Sequence, residues 1–258
     1  MIVAGVDGSV PSRAAVAWAA ADAHRMHEPL LLVHALDRAP YQIAGFANAA
    51  LPDSVLRAGR KVLNEALALV HERRPTVEVS TRTVEGAAAP ALCDLAGEAT
   101  ELVVGSRGRG ALAGALLGSV SDHVAGEASC PVVVVRGELR PCYGQVVAGV
   151  DDSPASGPAL AYAFEQAALR DSTLRILHSR TPAGAGQPPA VELLETLQKK
   201  YPQVTVIEQA FVGHPVDASG EADLLVVGSR GRGSALLGSV GRGVLHHARC
   251  PVAVVRAT

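Results

Sequence analysis

Short apolar runs alternate with longer amphipathic or alanine-rich stretches from one end of the chain to the other. Residues 2–6, 30–35, 102–104 and 132–135 are runs of Val, Leu, Ile and Ala bounded by glycine, proline or polar residues, and each reads as a buried strand. Residues 76–84 alternate and predict a half-buried or edge strand. Between them, 14–24 is alanine-rich around Val16 and Trp18, while 54–74 carries Val55, Leu56, Val62, Leu63, Ala66, Leu67 and Val70 at helical spacing. Residues 87–99 predict a short helix. Ser9 followed by Pro11 marks a helix start, a cap and then a proline near the first helical position. Residues 37–53, with Pro40, Tyr41, Gly45 and Pro52, show no period and predict a long connection. Strands alternating with helices in this way predict an α/β fold, a parallel sheet with helices on both faces.

The pattern then repeats. VAGVDGS at 3–9 returns as VAGVDDS at 147–153, and LVVGSRGRG at 102–110 returns unchanged at 225–233. CPVVVVR at 130–136 returns as CPVAVVR at 250–256, and His34 matches His178. Two copies of one domain are expected, over 1–138 and 145–258, joined around 140–144. The register shrinks along the chain. Asp7 pairs with Asp151 at an offset of 144, Gly86 with Gly213 at 127, Gly105 with Gly228 at 123 and Gly118 with Gly238 at 120. The second copy is therefore trimmed, and its last three lost residues fall inside a glycine loop.

Composition narrows the class. Hydrophobic residues make up 48% of the 258 but aromatic residues only 3%, so the core is built from Val, Leu and Ala. A net charge of −2 gives no argument for nucleic acid or an anionic membrane surface, and no apolar run reaches the length of a membrane span. The first residues, MIVAGVDGSVPS, lack the basic and apolar regions of a signal peptide. Cys93, Cys130, Cys142 and Cys250 have no CxxC spacing, so a reducing cytoplasmic setting is expected.

Candidate chemistry concentrates in 101–121. An apolar strand breaks into five glycines within fourteen residues, Gly105, Gly108, Gly110, Gly114 and Gly118, and then a helix begins with Ser119 as the expected N-cap. Glycines let main-chain N–H groups approach an anion, and a helix N-terminus adds free donors and a favourable dipole. Taken alone, the stretch reads equally as a glycine-rich surface connection. A Walker A loop fails because Ala111 stands where lysine is required. A dinucleotide fingerprint on Gly108, Gly110 and Ala113 fails because it lies outside the first strand–helix turn and the next strand ends in Arg136 rather than an acid.

The spacing Gly105-x2-Gly108-x9-Gly118-Ser119, with VVGS before it, GSVS closing it and CPVVVVR after it, resembles the ATP-binding signature of the universal stress protein family. The resemblance implies tandem Rossmann-like domains, each a five-stranded parallel sheet of order 3-2-1-4-5. In that order the ends of strands 1 and 4 flank the point where the connections reverse, which is where such sheets take ligands. It also implies a nucleotide site of Asp7, Ala35, Gly105, Gly108, Gly118, Ser119, Val120 and Ser121. Ala35 would meet the adenine edge through its main chain, the glycines would hold the loop open, and the residues from Gly118 onward would face the phosphates. Asp7 reads equally as a ribose or metal-bridged phosphate partner and as the anchor of a local Asx-type turn. His34 is expected to be a satisfied core or rim histidine rather than a metal ligand. Arg107 and Arg109 read either as phosphate partners or as solvated loop residues.

The second copy keeps Asp151, Gly228, Gly231, Gly238 and Ser239 but has Gly241 where Ser121 stands, and its loop is three residues short. Weak or absent binding is expected there. The adjacent His246 and His247 diverge, which argues against a two-histidine metal site. The function implied is a non-catalytic stress protein binding ATP, with or without Mg, mainly in its first domain. The alternatives are a slow ATPase, for which no positioned base or second acid stands out, and a nucleotide-independent interaction module. Expected partners are the nucleotide and an unidentified protein, with the last strands forming an intramolecular pseudo-dimer and whole chains able to form a homodimer.

Overall fold

In this computed structural model the described residues are 1–37, 51–108, 117–137, 142–151, 156–179, 190–211, 213–229 and 237–256. The chain divides into two units, Met1–Cys130 with Val134–Glu138, and Pro131–Val133 with Leu139–Thr258.

In the first unit, β1 (Ile2–Gly5) stands at the centre, and Ile2, Val3 and Ala4 are fully buried. It pairs in parallel with β2 (Leu30–Leu36) on one side and β4 (Glu101–Gly105) on the other, with Ile2 opposite both Leu30 and Glu101. The order β3-β2-β1-β4-β5, completed by β3 (Val79–Glu85) and β5 (Val132–Val135), is the expected one. β3 is exposed along most of its length, as an edge strand of alternating polar residues should be.

Helix α1 (Val10–Met26) starts where Ser9 accepts from the Ser12 N–H at 3.2 Å and ends where His27 takes a left-handed φ of 55°. Its buried stripe is Ala15, Val16, Ala19, Ala20 and Ala23, small enough to lie close on the sheet. Helix α2 (Asp53–Arg73) packs beside α1 on one face and buries Gly59, Leu63, Ala66 and Val70. Gly59 allows the approach. A Cβ there would stand 3.0 Å from both His34 Cδ2 and Leu36 Cδ2. Helices α3 (Ala88–Ala96) and α4 (Ser119–Glu127) pack together as a second pair. The connection predicted over 37–53 lies outside the described residues at 38–50, as do Arg109, Gly110 and Gly114 of the glycine loop.

The second unit repeats the plan. β6 (Gln145–Val150) is central, pairing in parallel with β7 (Thr173–Ser179) and β9 (Leu224–Gly228). β8 (Val206–Phe211) pairs with β7, and β10 (Val252–Val255) with β9, also in parallel. Its helices are α5 (Ser156–Arg170), α6 (Ala190–Lys200) and α7 (Ser239–His247). In place of a counterpart to α3 there is a 3-10 helix, Pro215–Glu221, capped by His214, whose Nδ1 accepts from the Val216 N–H at 3.3 Å. The trimming seen in the sequence thus replaces an α-helix by a shorter, tighter turn.

One expectation is corrected. Ser119 is not the N-cap of α4. Gly118 is, with φ −85° and ψ 153°, and its carbonyl already accepts the first helical bond from the Asp122 N–H at 3.0 Å. Ser119 is the first helical residue.

Candidate functional site

β1 and β4 end side by side, and the loops that leave them meet. Beyond β1, Asp7 Oδ1 accepts from the Ser9 N–H at 2.9 Å while the Asp7 N–H donates to Ser12 Oγ at 3.1 Å. This is the Asx turn that VDGS allows, with Gly8 at φ 82° supplying the bend. The other carboxylate oxygen faces the glycine loop: a Cβ on Gly108 would lie 2.6 Å from Asp7 Oδ2. Ser9 Oγ ties the two loops together by donating to the Arg107 carbonyl at 3.3 Å.

Beyond β4, each glycine has its own reason. A Cβ on Gly105 would fall 2.6 Å from the Pro11 carbonyl carbon and 2.7 Å from the Ser12 nitrogen, so glycine here admits the first turn of α1. Gly118 donates its N–H to the Ser106 carbonyl at 2.8 Å and opens α4, whose N-terminus no side chain of the described residues caps. The amides of Ser119, Val120 and Ser121 are first-turn donors without intrahelical acceptors, at the positive end of the helix dipole. The Ser121 hydroxyl, by contrast, is committed to the Gly105 carbonyl at 2.6 Å and is buried.

These parts surround a cavity of about 480 Å³ over the carboxyl ends of β1, β2 and β4. All eight residues expected in the first unit line it: Asp7, Ala35, Gly105, Gly108, Gly118, Ser119, Val120 and Ser121. Val6, Val33, Ala88, Leu92 and Val104 give it an apolar floor, and Arg107 stands on its rim. His34 also lines it, and its Nδ1 lies 2.6 Å from the Val6 carbonyl. A carbonyl can only accept, so Nδ1 carries the proton. Among the described residues no group of three metal-ligating side chains occurs.

The second unit builds the same corner differently. Asp151 Oδ1 accepts from the Ser156 hydroxyl at 2.8 Å, and the Asp151 N–H donates to that same Oγ at 2.9 Å. Gly228 ends β9, Gly238 caps α7 with no side-chain bond, and Ser239 opens that helix, so these three keep their places. Gly231 lies outside the described residues. At Gly241 a Cβ would meet Leu237 Cδ1 at 3.0 Å, and Leu237 is buried.

The sequence matches the universal stress protein family over residues 1–136, 143–212 and 215–256. The chain belongs to the universal stress protein family. This universal stress protein is 37% identical over 287 aligned positions to universal stress protein Rv2623 of Mycobacterium tuberculosis, covering 99% of this chain and 96% of that one. It is 34% identical to universal stress protein Mb2028c of Mycobacterium bovis, at the same coverage. A crystal structure of a universal stress protein from Archaeoglobus fulgidus superposes with a TM-score of 0.75 over 99% of this chain and 95% of that one, at 20% identity, which speaks to the fold.

Among the residues of this universal stress protein's cavity that sequence reasoning did not single out are Ser12, Leu92 and Leu117. Ser12, which accepts from Asp7, carries a signal in the repeat, since Ser156 matches it and does the same for Asp151. Leu92 packs on Gly5, with Cδ1 3.0 Å from where its Cβ would be, and a helix following β3 was the place to look for such a residue. Leu117 lines the cavity from within the glycine loop and carries no signal beyond its repetition as Leu237.

Proposed function

We propose that the first unit binds an adenine nucleotide, ATP in particular, and that this universal stress protein acts through that binding as a non-catalytic regulator in the stress response. One observation carries the reading: a helix N-terminus that no side chain of the described residues caps and the Asp7 carboxylate open onto one cavity with an apolar floor. The cavity's volume of about 480 Å³ is of the size that takes small molecules and cofactors.

The residues present suit the group. The floor of Val6, Val33, Leu92 and Val104 offers a base an apolar surface, and the Ala35 main chain lies at the same end. The amides of Ser119 and Val120 would take phosphate oxygens, and Gly108 and Gly118 leave the main chain bare where the polyphosphate would pass. A magnesium ion carried in on the phosphates would need at most one carboxylate here, Asp7. When bound, ATP would add a polyanion that both loops must accommodate, and it would shift the protein toward whichever arrangement it prefers by the difference in affinity. The second unit is read as a site of weak or absent binding.

Three measurements test this. Chromatography of the supernatant from heat-denatured protein should release ATP or another adenine nucleotide, and titration calorimetry on stripped protein should give about one ATP per chain. No released nucleotide together with no heat of binding would overturn the reading. Prolonged incubation with ATP should produce no ADP beyond one equivalent, and multiple turnovers would make the protein an ATPase.

A further inference from the structure

We propose that the residue at the third helical position after the glycine loop, Ser121 in the first unit and Gly241 in the second, decides whether the cavity stays open or is filled by the leucine four residues before it. The inference rests on reading the first cavity as a nucleotide site and adds what keeps that site open.

Over the five residues that open this helix the two copies match apart from this position, although the loop before it is three residues shorter in the second copy. Leu117-Gly118-Ser119-Val120-Ser121 corresponds to Leu237-Gly238-Ser239-Val240-Gly241. Both helices begin the same way: Gly118 donates to the Ser106 carbonyl at 2.8 Å and Gly238 to the Ser229 carbonyl at 2.9 Å. Both serines in turn donate their N–H to the last strand of their copy, Ser106 to Val135 at 2.7 Å and Ser229 to Val255 at 2.8 Å. The frame is therefore held in common, and the leucine is the same residue in both copies.

Its surroundings differ. In the first unit Ser121 is buried, its hydroxyl donates to the Gly105 carbonyl at 2.6 Å, and Leu117 stays half-exposed along the cavity wall. In the second unit the Cβ that Gly241 lacks would lie 3.0 Å from Leu237 Cδ1, 3.3 Å from Leu237 Cγ and 3.7 Å from the Gly228 carbonyl oxygen. Gly228 is the counterpart of Gly105, so the isobutyl group of Leu237 reaches the space that the Ser121 side chain holds in the first unit. There Leu237 falls to 6% exposure. At 3.0 Å two carbon atoms stand well inside their optimum of about 3.5–4.0 Å. A side chain at position 241 would push the end of the leucine back by at least a few tenths of an ångström, and glycine leaves it in place. Burying a leucine is favourable, so the leucine moves in wherever nothing stops it. The bulk at this position is the gate, and the bond to the Gly105 carbonyl fixes that bulk in place.

The full-length protein with methyl-labelled leucines provides one test, and ATP titration the other. With a soluble paramagnetic chelate, Leu117 methyls should relax faster than Leu237 methyls in the wild type. Ser121→Gly should protect Leu117 by about twofold or more and Ser121→Ala should not, while Gly241→Ser should expose Leu237. ATP affinity should fall about tenfold or more in Ser121→Gly and by about threefold at most in Ser121→Ala. Adding Leu117→Ala to Ser121→Gly should return affinity to the Ser121→Ala level. Unchanged Leu117 protection in Ser121→Gly, with Leu237 equally protected in Gly241→Ser, overturns the inference, as does wild-type ATP affinity in Ser121→Gly. A wild type that binds no ATP overturns the proposed function instead, and the methyl readout then decides the inference alone.

Discussion

Gly105 illustrates how a residue can be found for one reason and needed for another. Its spacing to Gly108 and Gly118 drew attention to it as part of an anion-binding loop, yet what it touches is the main chain of Pro11 and Ser12. Main chain at 2.6 Å cannot swing aside as a side-chain tip can. Gly105→Ala should therefore destabilise the protein by about 1–3 kcal/mol, toward the upper end, in urea denaturation. Gly126→Ala, in α4 with nothing within 4 Å of the new methyl, should stabilise it by up to about 1 kcal/mol. Equal effects of the two would mean that the packing at Gly105 has been misjudged. The spacing was legible in the sequence and the contact was not, because the contacting residues lie much earlier in the chain. The cysteines separate in the same way. The Cys130 thiol is pushed up to about 12 by burial first and by the neighbouring Glu101 carboxylate second. The unfolded chain sheds that proton near the ordinary value of 9.0, so above it the unfolded state binds fewer protons and stability falls with rising pH toward 12. Cys130→Ala should flatten this alkaline loss in equilibrium unfolding. A thiol reagent on native protein at pH 8 should meanwhile label exposed Cys142 first and leave Cys130 and Cys250 untouched.

At the scale of elements, helix existence was legible from periodicity, but helix ends were set by bonds that periodicity does not carry. α1 begins at Val10 because Ser9 caps it, as Ser9 followed by Pro11 predicted, four residues before the alanine-rich run starts. α4 begins at Ser119 because Gly118 supplies the first carbonyl, leaving Ser119 exposed at the mouth of the cavity. That position allows binding and folding to be separated. Ser119→Asp puts a carboxylate in the first turn, where the helix dipole favours it by about 0.3–1 kcal/mol. The same charge repels a polyphosphate. The melting temperature of ligand-free protein should hold or rise slightly, while ATP affinity drops by about tenfold or more. An unchanged affinity would show that the phosphates do not lie at this helix end.

For the whole molecule, the repeat was the most legible feature and the strand order the least. Alternating strands and helices predicted a parallel sheet, but no periodicity says that β1 stands between β2 and β4. That order came with the family resemblance, and the pairing of Ile2 with both Leu30 and Glu101 bears it out. The inequality of the copies was visible as missing residues, although the replacement of a helix by the 3-10 turn Pro215–Glu221 was not. If nucleotide occupies only the first unit, its stabilisation must be unevenly distributed. Ligand at about a hundred times its dissociation constant stabilises the state that binds it by about 2.7 kcal/mol. Amides that exchange only when the first unit opens should slow by the corresponding factor of about a hundred, those of β1, β4 and the first turn of α4 foremost. The counterpart amides in β6, β9 and α7 should slow only to the extent that they open together with the first unit. Hydrogen exchange with and without ATP, resolved by peptide, reads this directly. Equal slowing at Val3 and Val147, or at Val103 and Val226, would mean either that both units bind or that the two open as one, and a measured stoichiometry of one ATP per chain would leave only the second.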